Sequence, residues 1–214
     1  CQYLTIRASM NTRPGEDNFI ILLGGPEMED KKVLTLLLGS PRIGGNTEKL
    51  ADALAEGAIE KGYEVKKVHL AALTLKGCLD CRKCWSTGKP CIQNDDMDQV
   101  YPEIEEASVI AFVSPLYFYS WSSQIKPVWD RLLPYYMPGA LRTTPSKKAI
   151  LIAAGGDTEE KVFDGMRSSF KLATNFLGWE VLGEICAPDI YSKGDIETKG
   201  TKWTEEAKRL GRSL

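Results

Sequence analysis

The sequence predicts an α/β domain built on a five-stranded, parallel, doubly wound sheet. Five short apolar runs of strand length alternate along the chain with segments whose apolar residues recur at helical spacing. Strands that alternate with helices in this way pair in parallel, because each helix returns the chain to the same end of the sheet. At 214 residues the chain is long enough for one such domain with appendages.

The elements follow one another without an internal repeat. We expect strands at Val33–Leu38, Tyr63–Val68, Val109–Val113, Ala149–Ala154 and Trp179–Ile185. We expect helices at about Leu50–Ile59, Asp95–Ala107, Ile125–Leu133, Val162–Leu177 and Thr204–Leu210. Gly62 ends the first of these helices, and Asp95-Asp96 is predicted to cap the second.

The loop after the first strand carries several potential anion ligands. It reads Gly39-Ser40-Pro41-Arg42-Ile43-Gly44-Gly45-Asn46-Thr47 and leads into the first helix. It matches neither the P-loop nor the dinucleotide fingerprint. Two hydroxyls, an amide and one fixed cation at the positive end of a helix suit a single terminal phosphate. The alternative is a plain connection in which Asn46 or Thr47 caps the helix.

Unusual residues also follow the third and fourth strands, where a doubly wound sheet binds its ligands. The third strand leads into an aromatic run, Ser114–Trp121, and the fourth into Gly155-Gly156-Asp157. Exposed aromatic side chains cost solvation free energy unless they cover something flat, such as an isoalloxazine ring. A subunit interface would explain the aromatic run as well, and a tight turn would explain the glycines.

These loops resemble those of the NADPH-dependent FMN reductase family of flavodoxin-like flavoproteins. The resemblance is carried by Ser40-Pro41-Arg42-x-x-Gly45-Asn46-Thr47, by Ser114-Pro115-x-Tyr117 and by Lys126-Pro127-x-x-Asp130-Arg131, and it spans about residues 33–190. It implies the flavodoxin-like strand order 2-1-3-4-5 and bound FMN. The implied phosphate ligands are Ser40, Arg42, Gly45, Asn46 and Thr47. The implied ring contacts are Pro115, Leu116, Tyr117 and Phe118, with Gly155, Gly156 and Asp157 at the pyrimidine edge.

A cysteine-rich insertion follows the second strand. Cys78, Cys81, Cys84 and Cys91 fall within fourteen residues, with two residues between each of the first three. In a chain without a secretory leader, clustered cysteines indicate metal or redox chemistry rather than a disulfide framework. Three thiolates at this spacing with a fourth nearby suit an iron–sulfur cube, and redox-active thiols and zinc are the alternatives. The segment resembles the cysteine motif of the iron–sulfur flavoprotein branch of the same family, which implies a [4Fe–4S] cluster.

Residues 1–30 differ in pattern from the domain predicted for residues 31–214. Two short apolar runs are separated by Pro14-Gly15, and Gly24-Gly25-Pro26 closes the second. We expect an N-terminal arm that either adds an edge strand or lies on a neighbouring subunit.

Composition excludes several classes of protein. The net charge of −2 and pI near 5.6 provide no basic field for nucleic acid, and no apolar run approaches the roughly 20 residues of a membrane span. Without a charged-then-apolar leader, we expect a cytoplasmic protein. His69 is the only histidine, so Ser–His and Cys–His hydrolases lack a second candidate base. Cys186 is expected to fill the core.

Together these features favour an oxidoreductase in which FMN exchanges electrons with NAD(P)H or ferredoxin and with a flavin, quinone or iron–sulfur acceptor. The cofactor carries the chemistry, so we assign no side chain as catalytic acid or base. We expect a homodimer or tetramer, in line with the resembling family and the exposed aromatic run. The alternative is a non-enzymatic flavodoxin-like electron carrier, because no nicotinamide fingerprint is present.

Overall fold

The structure is a computed structural model that describes residues 32–136 and 147–214. The predicted arm, residues 1–30, lies outside these described residues. The described chain forms a five-stranded parallel sheet in the order β2-β1-β3-β4-β5, which confirms the predicted fold class and strand order. The strands are β1 Val33–Leu38, β2 Glu64–His69, β3 Val109–Pro115, β4 Lys148–Ala154 and β5 Glu180–Ala187.

Helices cover both faces of this sheet. They are α1 Asn46–Ile59, α2 Met97–Glu106, α3 Lys126–Asp130, α4 Asp164–Phe176, α5 Asp195–Thr198 and α6 Thr201–Arg212. One core cluster joins the sheet to α2, α3 and α4, and a second joins its other face to α1, α5 and α6. β1 is buried along its whole length because it lies inside the sheet with helices on both sides. None of the helices in the described ranges has the length and hydrophobicity of a membrane span.

Two helices differ from the sequence prediction for identifiable reasons. The helix expected at Ile125–Leu133 ends at Asp130, and a 3₁₀ turn follows at Leu133–Tyr135. Pro134 has no N–H to donate to the carbonyl of Asp130, so the α-helix cannot continue through it. The short helix α5 was not predicted; four residues are too few for a helical period to show in the sequence.

α1 and α6 approach each other closely at two glycines. A Cβ atom on Gly57 would overlap the carbonyl oxygen of Lys208, and one on Gly211 would overlap the carbonyl oxygen of Leu54. The helix backbones therefore touch without intervening side chains. This contact fixes α1, whose N-terminus adjoins the loop that follows β1.

Substituting Gly57 by alanine should destabilise the protein although alanine is the better helix former. We expect a net loss of about 1–3 kcal/mol in the free energy of unfolding, the range for overpacking a core, because the ~1 kcal/mol propensity gain is smaller than the backbone clash. Urea denaturation of G57A measures this, with G77A as control, since a Cβ at Gly77 meets open space. Stabilisation by G57A would contradict the described helix contact.

Candidate functional site

A cavity of about 500 Å³ lies at the carboxyl ends of β1, β3 and β4. The loops after these three strands form its walls, at the place where a doubly wound sheet binds ligands. Every residue predicted to bind the cofactor lines this cavity, except Phe118. They are Ser40, Arg42, Gly45, Asn46, Thr47, Pro115, Leu116, Tyr117, Gly155, Gly156 and Asp157.

Hydrogen bonds between side-chain oxygens and main-chain N–H groups fix the loop after β1. The Ser40 hydroxyl accepts a hydrogen bond from the N–H of Arg42 at 3.1 Å, and the Glu48 carboxylate accepts one from the N–H of Gly44 at 2.6 Å. α1 begins at Asn46, with Gly45 as N-cap and no side-chain cap. The alternative prediction, in which Asn46 or Thr47 caps the helix, is therefore wrong. The first N–H groups of α1 have no intrahelical partner, so they are available to an anion.

The side chain of Asn46 organises a second loop. Its amide nitrogen donates to the carbonyl of Ser192 at 2.8 Å, and its amide oxygen accepts from the N–H of Gly194 at 3.0 Å. These bonds join α1 to the segment after β5 and help bring Tyr191 to the cavity wall. These bonds use the amide oxygen and one of the two amide N–H groups, so the main-chain N–H and the second amide N–H of Asn46 are the donors left for a phosphate.

Arg42 is the cation of the cavity lining. Its side chain is exposed, and among the described residues its guanidinium has no ion-pair or hydrogen-bond partner. Counter-charge for this group is therefore not supplied by the described part of the protein. A dianionic phosphate would supply it.

The loops after β1 and β3 are joined through Ser122. Its hydroxyl donates to the carbonyl of Gly39 at 2.6 Å, and its N–H donates to the hydroxyl of Ser114 at 3.0 Å. The N–H of Gly39 donates to the carbonyl of Val113 at 2.7 Å. A Cβ on Gly39 would lie 2.8 Å from the Cβ of Ile125, so glycine is required here. These contacts hold two walls of the cavity at a fixed separation.

The third wall is main chain. A Cβ on Gly156 would lie 2.7 Å from Cδ2 of Tyr191, so glycine is favoured here by the close packing of the Tyr191 side chain. Within the described residues, the N–H groups of Gly156 and Asp157 have no hydrogen-bond partner. They are donors suited to the carbonyl oxygens of a ring edge.

Three lining residues were missed by sequence reasoning: Ala154, Ile190 and Tyr191. Ile190 and Tyr191 follow β5, so the rule that ligands bind beyond the carboxyl ends of strands would have found them had it been applied to the fifth strand. Ala154 is the last residue of β4 and carries no chemical signal.

The aromatic run after β3 forms a tight hairpin turn. Tyr117 and Ser120 pair through two main-chain hydrogen bonds of 3.0 Å, and Phe118 and Tyr119 at the tip have φ of +48° and +62°. Two-residue turns of this kind favour Asn-Gly, because bulky side chains are strained at positive φ. Phe118 is fully exposed and lies outside the lining of the cavity, so its predicted ring contact stays a prediction.

Replacing Tyr119 by glycine should stabilise the fold. Glycine adopts positive φ without steric cost, and the Tyr119 ring is largely exposed, so we expect a gain of about 1 kcal/mol. Thermal unfolding of Y119G beside Y119F measures it. The Phe variant keeps the strained backbone and should melt with the parent; a Y119G that melts below Y119F would contradict the assigned turn.

The four clustered cysteines also meet at one place. Cys78, Cys81, Cys84 and Cys91 line a cavity of about 20 Å³ on the segment between β2 and α2. Burial raises the pKa of the Cys84 thiol, and the neighbouring sulfurs of Cys91, Cys78 and Cys81 raise it further. Among the described residues, however, no three His, Cys, Asp or Glu side chains stand in a geometry that holds a metal ion. The four thiols are ligands that suit an iron–sulfur group. In this structure they line the same cavity without standing around a common metal position.

The acidic pair after this segment holds the insertion in place rather than only capping α2. Asp96 accepts from the N–H of Thr74 at 2.7 Å, and Asp95 accepts from the N–H of Lys76 at 2.7 Å. Asp96 is the N-cap residue of α2, but its carboxylate accepts from the side-chain amide of Gln99 at 3.1 Å and from no main-chain N–H of the first turn. The main-chain N–H of Met97 donates to Asp95 instead, at 3.3 Å.

Two further residues lie away from the larger cavity, and Cys186 fills the core as the sequence predicts. Cys186 is buried in β5, where its thiol is part of the core and desolvation raises its pKa to about 11. His69 ends β2, with Nε2 3.6 Å from the carboxylate of Glu48. Neither lines the 500 Å³ cavity.

The fold and the cavity define a class: a flavodoxin-like α/β protein with an anion-suited loop and an aromatic wall at the switch point of its sheet. A family model described as NADPH-dependent FMN reductase matches residues 32–177, more than half of the chain. The chain belongs to the NADPH-dependent FMN reductase family, as the resemblance of its loops indicated.

Curated relatives include iron–sulfur flavoproteins from two archaea. One from Archaeoglobus fulgidus is 35% identical over 124 residues, which is 58% of this chain and 56% of that protein. One from Methanosarcina thermophila is 34% identical over 98 residues, 46% of this chain and 51% of that protein. The matched part therefore spans about half the length of these relatives.

Among solved structures, an NAD(P)H:quinone oxidoreductase from Methanothermobacter marburgensis superposes with a TM-score of 0.68. The match covers 85% of this chain and 95% of that one at 19% identity. At this identity the likeness shows the shared fold.

Proposed function

We propose that this protein is an FMN-dependent oxidoreductase that takes electrons from NAD(P)H and passes them to a flavin, quinone or iron–sulfur acceptor. The observation that carries the proposal is the single cavity formed by the three loops after β1, β3 and β4. Its volume, about 500 Å³, lies within the range of small-molecule and cofactor sites. Family membership and the quinone-reductase fold of a structural relative support the same activity.

The lining residues fit each part of FMN. Arg42, the Ser40 and Thr47 hydroxyls and the N-terminus of α1 suit the phosphate. Pro115, Leu116 and Tyr117 offer an apolar wall for the ring, and the N–H groups of Gly156 and Asp157 suit its carbonyl edge.

When bound, FMN supplies the hydride and single-electron chemistry, and the protein supplies binding, orientation and exclusion of water. The fixed charge of Arg42 would hold the phosphate end of the ligand. The Ser122 contacts hold the apolar wall at a constant distance from the phosphate loop. The aromatic hairpin, Tyr117–Ser120, would lie at the rim of the site for the ring.

The proposal extends to partners and compartment. The exposed rings of Tyr117, Phe118 and Tyr119 support assembly into a homodimer or tetramer, because a monomer leaves this apolar area in water. The four cysteines beside the sheet support a [4Fe–4S] cluster and a ferredoxin-like partner, in line with the names of the archaeal relatives. The cytoplasm is the compartment in which such exposed thiols stay reduced.

Turnover distinguishes the enzyme from an electron carrier. Protein purified without oxygen should bind FMN, and its flavin absorbance should bleach on addition of NADH or NADPH much faster than that of free FMN. A colourless protein that takes up no FMN would contradict the proposal. Bound FMN that is reduced by ferredoxin and by neither nicotinamide would favour the carrier.

Arg42→Ala should weaken FMN binding through the phosphate alone. A charge-assisted contact is worth roughly 1.5–3 kcal/mol, so we expect affinity to fall about tenfold to a hundredfold. Fluorescence titration measures this, with riboflavin as the ligand that lacks the phosphate. Riboflavin should bind R42A and the parent equally, and R209A, which removes an exposed cation of α6, should bind both ligands normally. An equal loss for both ligands in R42A would place Arg42 at the ring or in the fold.

A further inference from the structure

The cysteine segment is closed at its base by one buried arginine. Its two ends, Lys76 and Asp95, lie side by side, and the N–H of Lys76 donates to Asp95 Oδ2 at 2.7 Å. Arg131 spans both ends. Its Nη1 donates to the carbonyl of Lys76 at 3.1 Å and to Asp95 Oδ2 at 2.6 Å, and its Nη2 donates to Asp95 Oδ1 at 3.0 Å.

This ion pair is almost fully removed from water. The side chains of Arg131 and Asp95 are each 1% exposed. Burial acts to raise the pKa of Asp95, but the hydrogen bonds from Arg131 and Lys76 outweigh it and hold the pKa below its usual value. Both groups are therefore charged, and removing one would leave the other buried and unpaired.

Arg131 also has a donor without an acceptor. Its Nε is buried and has no hydrogen-bond partner in the described part of the chain, and the same holds for Nε1 of Trp85, next to Cys84. Buried N–H groups in native proteins are almost always paired, so an orphan calls for an acceptor that completes the site. Arg131 lines the 20 Å³ cavity together with the four cysteines, whereas Asp95 does not. The cationic partner of the ion pair is thus the one at the cysteine site.

The chemistry that fits the orphan N–H and fixed positive charge of Arg131 beside four thiols is an anionic, sulfur-rich group. Thiolates and inorganic sulfides accept hydrogen bonds from N–H groups, and such bonds and nearby charge tune an iron–sulfur centre. Neutral thiols accept only weakly, so they would leave Arg131 Nε unsatisfied.

We propose that Arg131 is the positioning residue of the cysteine site: it closes the segment through Asp95 and directs its charge and its Nε–H at a thiolate-ligated iron–sulfur cluster. This deepens the proposed function and rests on its cluster, independently of FMN. A reduced cluster carries one more negative charge than an oxidised one. The positive charge of Arg131 therefore stabilises the reduced state and raises the reduction potential. Asp95 pairs with Arg131 without lining the cavity, and its negative charge lowers the reduction potential.

The two partners of the ion pair give opposite predictions. The full-length parent, R131Q and D95N are reconstituted anaerobically with iron and sulfide, and iron, sulfide and FMN per chain are counted separately before potentiometric titration. R131Q should hold less iron and its remaining cluster should have a lower potential than the parent. D95N leaves the arginine charge uncompensated, so its potential should be higher. R209Q, distant on α6, should match the parent.

A purely structural role of Arg131 would give a different result. Both variants would then lose iron to a similar extent, and the clusters that remain would keep the parent potential; that outcome overturns the proposal, as does a parent that takes up no iron.

If R131Q does not fold, R131K replaces it. Lysine keeps the charge without the fork of donors, so R131K should hold less iron than the parent but keep a potential close to the parent's. A D95N potential at or below the parent's would again contradict the proposal. FMN content reports separately on the proposed function.

Discussion

The hydrogen bond from the Ser122 hydroxyl to the carbonyl of Gly39 is the contact on which the cavity depends. It joins the loops after β1 and β3 at 2.6 Å, at the point where the strand order of the sheet reverses. The close approach of Gly39 to Ile125 allows it, and the Ser114 hydroxyl locks the backbone of Ser122 in place. Because these contacts join serine hydroxyls to main-chain atoms within the protein, they hold the loop after β1 against the apolar wall.

Much of this arrangement could be predicted from the sequence, because it depends on local patterns. The apolar runs predict where the strands lie along the chain. The polar residues from Ser40 to Thr47 indicate an anion site, and the apolar and aromatic residues from Pro115 to Tyr117 indicate a surface for a flat ligand. What could not be predicted depends on distant contacts. The side chain of Asn46 forms hydrogen bonds with the main chain of Ser192 and Gly194, almost 150 residues away. No local sequence pattern indicates these long-range bonds. The positive φ of Phe118 and Tyr119 contradicts their intrinsic preference, so propensity could not reveal it.

Two arginines of the domain, Arg42 and Arg131, carry charges that differ in exposure and pairing. Arg42 is exposed and unpaired within the described residues, so its charge is available to a soluble anionic ligand and is screened until that ligand binds. Arg131 is buried, paired with Asp95 and fixed in direction, so its charge would act on a cluster held by the cysteines beside it. The first arrangement is typical of reversible phosphate recognition, and the second of a resident centre whose properties the protein sets.

The central claim is that FMN occupies the cavity beyond β1, β3 and β4 with its phosphate at the N-terminus of α1. A crystal structure of the protein with FMN tests it most directly. The account predicts the phosphate between Ser40, Arg42 and Thr47, and the ring between Leu116 and the main chain of Gly155 and Gly156. Density for the phosphate away from the loop after β1, or for the ring outside this cavity, would contradict it.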